Sequence, residues 1–411
     1  MILKNIEIVH PISKYNTFAE ICCIDNSSDN KHWQRSYLFL NEKMNVVAHF
    51  ISQDCLWVEH LSKNANNLFV LSNIEKKTCE IVQVSQYNKY SSINIYDDIE
   101  LGAEDSTFAV KKAGLWGFID ENGNEIIPCK YQSYCCFSQG LAAVKENGKW
   151  GFINKKGETI ISFEYDIPQF SSFNGDFAPV FKEDKAGYID KHGNEAISFK
   201  YDDVLVCYKG SRIFPVKLRG KWGFIDKDEY VVIPFIYDSV ECNGDDYSLY
   251  HVVKNGKTGL VDPIKSCEII PTIYDELCVN DGLIVVKTKT DDKKTFQIID
   301  WNNKLISKER YDYISEYNSE GLFVASNNKK YGYINEKGEV VISFKYRKCK
   351  DFVGGIAVAT NFDGTKEVID KNGTVLYKTR PFQEIFNVGN GYIFAQNEQG
   401  YELLMPSERK Y

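Results

Sequence analysis

The chain has 411 residues, of which 43% are hydrophobic and 26% are charged, a balance typical of globular proteins. Its formal net charge of −8 and its isoelectric point near 5.5 argue against a nucleic-acid or anionic-membrane partner, because both require a cationic surface. The many Tyr, Phe, Val and Ile residues favour strands over helices.

No apolar stretch approaches the roughly 20 residues that span a bilayer, so we predict no membrane span. The first residues contain neither a continuous apolar core nor a small-residue cleavage site, so they do not resemble a signal peptide. Twelve cysteines are scattered without any C-x-x-C motif. This spacing is typical of reduced thiols and predicts a cytoplasmic protein.

Residues 1–105 contain faint copies of a motif that is clearer further along the chain. The segment "YLFLNEKMNVVAHF" (37–50) has the same shape as "YGYINEKGEVVISF" (331–344). We therefore predict degenerate N-terminal β repeats, or a cap, at 1–105. Two stretches in this region do not repeat, namely 55–60 and 85–98, and they are where the sequence best accommodates a specific site.

Residues 106–360 contain the clear copies. The segment "KWGFINKKGETIISFEYD" at 149–166 returns as "KWGFIDKDEYVVIPFIYD" at 221–238. Tetrapeptides such as "GFID" begin at positions 34 to 38 residues apart, and a Tyr, usually followed by Asp, keeps the same spacing. A fixed period near 36 residues predicts a solenoid, propeller or array. The tetrapeptides begin at Gly117, Gly151, Gly187, Gly223, Gly259, Gln297, Gly332 and Glu367.

Residues 361–411 read as degenerate C-terminal repeats or a cap, which gives about ten units in all. Each unit is predicted to be an antiparallel β-meander. In the best copy, "GLAAVKE", "KWGFIN" and "TIISF" are strands, and the turns between them contain glycine, which supplies the positive φ of tight hairpins. A single unit has too few short strands to bury both faces of its meander. Neighbouring units must therefore stack on one another.

The stretch "LWGFID…GNEIIPCKYQ…FSQGLAAVKENGKWGFIN" resembles the WG (KWG) repeat family, which is widespread in bacteria. The resemblance implies an all-β tandem array and little settled biochemistry. The Trp of the signature is present as Trp116, Trp150 and Trp222. Other copies replace it by Ala186, Thr258, Phe296, Tyr331 and Lys366.

The acidic and amide residues that close the second strand of each unit are candidates for acid–base chemistry. They precede glycine-containing turns, however, where such a side chain caps the turn backbone. We expect the capping role, and we expect the Trp to pack in the core, the Gly to admit a close backbone, the Tyr to fill a gap and its Asp to anchor a turn. The closing residues are Asp120, Asn154, Asp190, Asp226, Asp262, Asp300, Asn335 and Asp370.

Other motifs carry no chemistry. "NGKTG" at 255–259 resembles a phosphate loop, but His251 stands where the first glycine belongs, and the motif aligns with "NGKWG". The six histidines form no zinc-like spacing. We therefore predict no catalytic, cofactor-binding or metal-ligating residue and no cofactor.

We expect an open, curved β-solenoid, with one or more closed propeller-like rings as the alternative. The expected function is non-enzymatic binding or scaffolding, with another protein as the partner and no nucleic acid. The alternative is a glycan-binding or glycan-hydrolysing enzyme whose site residues lie in inter-strand loops. A polar cluster that occurs once rather than in every repeat would distinguish a dedicated site from the architecture.

Overall fold

A computed structural model gives the fold of this chain. It describes residues 2–4, 6–10, 19–25, 34–40, 46–52, 56–60, 68–73, 76–86, 89–100, 107–166, 172–206, 210, 212–242, 249–280, 283–289, 293–379, 385–389, 392–397 and 400–404. Among the sequence predictions, residues 41–45 of the segment 37–50 and residues 405–411 of the predicted C-terminal repeats lie outside these residues.

The described residues form strands and turns, and none of them lies in a helix. In chain order the strands are β1 (Ile2–Lys4), β2 (Ile6–His10), β3 (Ala19–Asp25), β4 (Gln34–Leu40), β5 (Val46–Ser52), β6 (Leu56–His60), β7 (Leu68–Asn73), β8 (Thr78–Gln86), β9 (Lys89–Tyr96), β10 (Asp98–Glu100), β11 (Thr107–Lys112), β12 (Leu115–Asp120), β13 (Glu125–Tyr131), β14 (Ser133–Tyr134), β15 (Leu141–Glu146), β16 (Lys149–Asn154), β17 (Thr159–Tyr165), β18 (Phe177–Lys182), β19 (Lys185–Asp190), β20 (Glu195–Tyr201), β21 (Asp203–Val204), β22 (Ile213–Leu218), β23 (Lys221–Asp226), β24 (Val231–Tyr237), β25 (Ser239–Cys242), β26 (Tyr250–Lys254), β27 (Lys257–Asp262), β28 (Cys267–Tyr274), β29 (Glu276–Asn280), β30 (Leu283–Lys289), β31 (Lys294–Ile299), β32 (Tyr313–Ile314), β33 (Leu322–Asn327), β34 (Lys330–Asn335), β35 (Val340–Tyr346), β36 (Lys348–Cys349), β37 (Ile356–Thr360), β38 (Lys366–Asp370), β39 (Val375–Lys378), β40 (Ile385–Gly389), β41 (Tyr392–Asn397) and β42 (Gly400–Leu404).

The strands fall into two compact units. One unit combines Met1–Gln53 with Ile273–Tyr411, and the other is Asp54–Thr272. The second unit holds the sheets β6–β9, β10–β13, β14–β17, β18–β20 and β21–β24, followed by β25–β28, whose last two residues pass into the first unit. The first unit holds the sheets β2–β5, β29–β31, β32–β35 and β36–β39, and a sheet with the order β1-β42-β41-β40.

Each sheet is an antiparallel meander, which confirms the predicted all-β repeat. In the sheet β14–β17, for example, consecutive strands pair in chain order, with Val144 opposite Gly151 and Trp150 opposite Tyr165. The short segment after the landmark Tyr does not complete its own sheet. It starts the next one, as β14 does after Tyr131, so a sheet such as β14–β17 combines strands from two sequence periods.

The hydrophobic core is divided into layers between consecutive sheets. Because side chains alternate across a strand, neighbouring residues enter different layers. Phe152 packs with Ala178 and Val180 of the following sheet, whereas Ile153 packs with Phe118 of the preceding one. Both faces of such a sheet are therefore buried, which is the nearest-neighbour stacking predicted from the repeat.

The first strand of the chain pairs with the last. Ile2, Leu3 and Lys4 of β1 lie opposite Glu402, Tyr401 and Gly400 of β42, in antiparallel register. The sheet that contains the chain end is thus completed by the chain beginning.

The eleven sheets formed by the described strands exceed the predicted number of repeats by one, but the repeat count itself stays a prediction. The open solenoid, the closed ring and the domain boundaries at 105 and 360 likewise stay predictions. In the part of the chain that the structure describes, no helix has the length and apolar character needed to cross a membrane.

The two tryptophans Trp150 and Trp222 differ in burial, and their replacement should differ accordingly. Trp222 is 5% exposed and belongs to a core layer, so Trp222→Ala should cost about 3–5 kcal/mol of unfolding free energy. Trp150 is only partly buried against its layer, so Trp150→Ala should cost less. Urea unfolding followed by circular dichroism measures both, and an equal or larger loss at Trp150 would contradict this ranking.

Candidate functional site

The Lys of the Lys-Trp-Gly signature forms an ion pair within its own repeat. Lys149 Nζ lies 2.7 Å from Asp166 Oδ1, and Lys185 Nζ lies 3.1 Å from Asp202 Oδ1. The pair Lys221–Asp238 occupies the same position. In all three cases the register places the Trp position opposite the landmark Tyr, so the flanking Lys and Asp face each other. These pairs are exposed and individually weak, but in them the Lys of the signature and the Asp after the landmark Tyr neutralise each other.

The Asp of most Tyr-Asp pairs also anchors the hairpin turn between the first two long strands of the next sheet, as predicted. Asp202 Oδ2 accepts the backbone N–H of Gly220 at 3.0 Å, and Asp312 Oδ2 accepts that of Asn328 at 2.7 Å. Where Gln132 replaces the Asp, its Oε1 accepts the N–H of Gly148 at 2.8 Å.

The Gly of the signature faces a bulge in the third strand. Phe152 pairs with Ile161 and Trp150 with Tyr165. Between these two pairs, β16 has one residue, Gly151, whereas β17 has three, and the extra residues form the bulge. A Cβ at Gly151 would lie 2.6 Å from the carbonyl oxygen of Ile161, closer than any side chain permits. The prediction that this glycine admits a close backbone is therefore confirmed, and that backbone belongs to the same sheet. The same contact is found at Gly117, Gly187, Gly223, Gly259 and Gly332.

The residues that close the second strand are turn caps, as predicted. Asp120 Oδ1 accepts the N–H groups of Asn122 at 2.9 Å and Asn124 at 2.8 Å, which closes an Asx turn. Carboxylates used in this way are held by their own backbone. The same double acceptance is found at Asn154, Asp190, Asp226, Asp262, Asp300, Asn335 and Asp370.

The landmark Tyr does more than fill a gap, because its hydroxyl reaches the turn of the following sheet. Tyr311 Oη donates to the carbonyl of Gly338 at 2.7 Å, and Tyr201 Oη donates to Glu229 Oε2 at 3.0 Å. Both rings are buried. These hydrogen bonds connect one repeat to the next, which sequence periodicity alone did not reveal.

Glu229 stands where most other turns have glycine, and its φ of 63° is unusual for a side chain of this size. Its carboxylate accepts hydrogen bonds at 3.0 Å from both the N–H and the hydroxyl of Ser198, and it pairs with Lys200. Partial burial would raise the pKa of Glu229, but the hydrogen bonds from Lys200, Ser198 and Tyr201 outweigh it and hold the pKa at about 2.

These structural roles leave a groove unexplained within the part of the chain that the structure describes. We call it the tyrosine groove. It has a volume of about 980 Å³ and is lined by β32 to β34, by β36 and β37, and by the segments that follow β32 and β36. Its volume is at the upper end of the roughly 300–1,000 Å³ typical of ligand pockets. Its lining includes the aromatic residues Tyr313, Tyr317 and Tyr331 and the basic residues Arg347, Lys348 and Lys350, together with the acidic residues Glu316 and Asp351.

The aromatic part of the groove is built on the Trp positions of two repeats. Phe296 and Tyr331 occupy those positions, and Tyr313 lies between them, with ring centroids 5.9 Å and 6.1 Å away. Tyr317 is 68% exposed and extends the aromatic surface toward solvent. Large rings held against one another in this way form a rigid contact surface.

The basic part of the groove occurs once in the chain. Arg347 follows the landmark Tyr346, where other repeats have Asp or Gln132, and Lys348 and Lys350 follow it. None of the seven other copies has Lys or Arg at any of these three positions. An Asp at position 347 would anchor the hairpin turn between β37 and β38. That turn is closed instead by its own residues, since Asn361 N–H donates to the carbonyl of Thr365 at 2.8 Å.

Sequence reasoning missed this cluster. The available signal in the sequence is the landmark Tyr346, which is followed by Arg347 instead of the usual Asp. The sequence singled out the non-repeating stretches 55–60 and 85–98 as places for a specific site; their described residues lie mainly in β6, β8 and β9, and none of them lines the groove. Within the described ranges, no three His, Cys, Asp or Glu side chains come together as metal ligands would.

Comparison with known families identifies the repeat. A model described as "WG containing repeat" matches six times, at residues 116–150, 150–185, 187–222, 222–257, 298–331 and 331–361. The last two matches contain the residues of the tyrosine groove. None of the curated proteins matches the chain.

Solved structures resemble the chain only distantly. A crystal structure of the eukaryotic initiation factor has a TM-score of 0.45 at 11% identity, over 85% of this chain and 96% of that one. AztD from Citrobacter koseri, in its apo form, has a TM-score of 0.31 at 10% identity, over 66% and 90%. BamB from Moraxella catarrhalis has a TM-score of 0.25 at 9% identity, over 96% and 95%.

The signature glycine is predicted to tolerate no side chain. Gly151→Ala forces a Cβ against a backbone carbonyl and should cost about 3 kcal/mol of unfolding free energy or more. The control is Gly148→Ala, at φ +84° with nothing within 4 Å of its Cβ, which should cost about 1–2 kcal/mol for the backbone conformation alone. Equal losses in urea titrations would show that the bulge contact is unimportant.

Glu229 should stabilise the fold in a pH-dependent manner. Its folded pKa lies below the ordinary 4.5, so its contribution is complete above pH 4.5 and disappears as the pH falls toward about 2. The stability difference between wild type and Glu229→Gln should therefore be largest at neutral pH and shrink on acidification. A stability difference that stays constant as the pH falls from 7 toward 2 would contradict this role of Glu229.

Proposed function

The chain belongs to the WG repeat family, and from that premise we propose that it is a non-enzymatic binding protein which holds another protein on its repeat-built β-surface. The recurring polar residues are occupied with turn caps, ion pairs and inter-repeat hydrogen bonds, which leaves none of them for chemistry. The observation that carries the proposal is a cluster of aromatic and basic residues at the tyrosine groove that the other described repeats lack.

The composition of the groove supports recognition of a protein. Tyr and Arg are enriched at the centres of protein interfaces, because they offer large contact areas and directed hydrogen bonds. Tyr313, Tyr331 and Arg347 supply both residue types around one concavity. Val353, which is 46% exposed, adds apolar surface at its border.

The proposal includes a cytoplasmic location, which rests on the scattered cysteine spacing. The eight cysteines whose side chains the structure describes form no disulfide with one another. The proposal also holds that the binding surface is formed by stacked repeats, since a tandem array offers a long face to a partner.

A glycan is the second candidate ligand, because the tyrosine groove presents an aromatic platform. Tyr313 and Tyr331, held 6.1 Å apart, offer ring faces of the kind on which sugars stack. A glycan array probed with wild type and with a Tyr331→Ala variant separates the two candidates. A defined glycan whose binding depends on Tyr331 would favour this alternative.

Site-specific photo-crosslinking tests the proposed function. A benzophenone amino acid is placed at Tyr317, and, in a control variant, at Tyr230, which is 72% exposed but lies in the other unit. We expect a protein to be cross-linked in native cells from position 317 and not from 230. That protein, once purified, should bind the wild-type chain at a 1:1 ratio, and no turnover of it should be detected.

Cross-links that are equal at both positions, or a purified candidate that does not bind, would contradict the proposed function. Chemical conversion of the bound protein by the chain would replace it with an enzymatic one.

A further inference from the structure

We propose that the tyrosine groove is a binding site for an acidic, extended segment of the partner protein, with Arg347 as the residue that selects it. This inference rests on the proposed function and names the chemistry of the partner. It depends on a reversal of charge at a single position of the repeat.

The reversal is visible by register. In β34 and β35, Tyr331 lies opposite Tyr346, as Trp150 lies opposite Tyr165 in another repeat. The flanking residues there are Lys149 and Asp166, which are ion-paired at 2.7 Å. Here the flanking residues are Lys330 and Arg347, also 17 positions apart.

Two cations therefore occupy the position of an ion pair. Like charges opposite each other on neighbouring strands destabilise a sheet, so the architecture gains nothing from Arg347. No ion pair links Lys330, Arg347, Lys348 or Lys350 to a carboxylate among the described residues. A bound carboxylate would supply the missing counter-charge, and Arg binds carboxylates through two parallel hydrogen bonds.

The strand order favours an extended ligand. β32 and β36 each stand at the end of their sheet, so each has one edge without a neighbour in that sheet. Both line the groove. A peptide in β conformation pairs with such an edge through its backbone, while alternate side chains enter the flanking pockets. Acidic side chains at those alternate positions would meet Arg347, Lys348 and Lys350.

A nucleic acid fits the same groove less well. Aromatic rings beside cations also bind single strands, but the chain carries a net charge of −8, and Glu316 and Asp351 line the groove as well. Three cations facing two carboxylates suit a segment with a few acidic side chains better than a continuous phosphate backbone.

The test is fluorescence anisotropy with a short fluorescein-labelled peptide of alternating glutamate and alanine. The wild-type chain should bind it in a salt-sensitive manner and should not bind the lysine–alanine counterpart. Arg347→Asp introduces the residue that most other repeats have at this position. It should weaken binding by about tenfold or more, because a carboxylate then faces the acidic ligand.

Arg347→Asp should also leave the Tm unchanged or raise it, since it restores the ion-pair arrangement with Lys330. Loss of binding in a variant that is at least as stable as wild type excludes unfolding as the cause. Lys156→Asp is the control: it makes the same change of charge at an exposed turn of the other unit and should bind the peptide as wild type does.

Absence of peptide binding to wild type, or equal binding by Arg347→Asp, would overturn the acidic-segment site. Tighter binding of a labelled oligothymidylate would replace it with a nucleic-acid site. Cross-linking from position 317 distinguishes failure of this inference from failure of the proposed function. A specific cross-link without peptide binding would show that the groove binds a protein but does not select an acidic segment.

Discussion

The close approach of the second and third strands at the signature glycine determines the geometry of each repeat that carries it. At Gly151 the neighbouring carbonyl of Ile161 leaves room only for a hydrogen atom. The bulge opposite the glycine brings the landmark Tyr into register with the Trp position. Bulges redirect the side chains that follow them, and here the redirected Tyr enters the core. Its hydroxyl then binds the turn of the next sheet, so one tight contact within a sheet leads to the connection between sheets.

Much of this architecture could be predicted from the sequence because its causes are local. An Asx residue at the end of the second strand caps the turn that follows it, and all eight such residues do so, whether or not that turn contains a glycine. The hydrogen bond from Tyr311 to Gly338 could not be predicted, because it joins residues of different periods whose proximity depends on how sheets stack. The same limitation applies to the short strand after the landmark Tyr, which pairs with the next sheet rather than its own.

The candidate site was missed for a different reason. A search for repeated features treats a departure from the pattern as erosion, and Arg347 was such a departure. The structure distinguishes erosion from function by what surrounds the changed residue. At Ala186, which replaces a Trp, the neighbours Phe177 and Phe181 pack on the layer and the side chain is fully buried. At Arg347 the changed residue faces a groove, and no carboxylate compensates its charge.

The pairing of β1 with β42 also affects how this chain is made. Ile2 lies opposite Glu402, 400 positions further along the chain, so β1 obtains its hydrogen-bond partner only after β42 has been synthesised. Closing so long a loop is entropically costly and slow, although the cost grows only with the logarithm of its length. Until β1 pairs with it, β42 is the edge strand of its sheet, and its unpaired backbone groups are a template for strands of other molecules. Efficient folding of this protein therefore depends on keeping β1 available until β42 has been made.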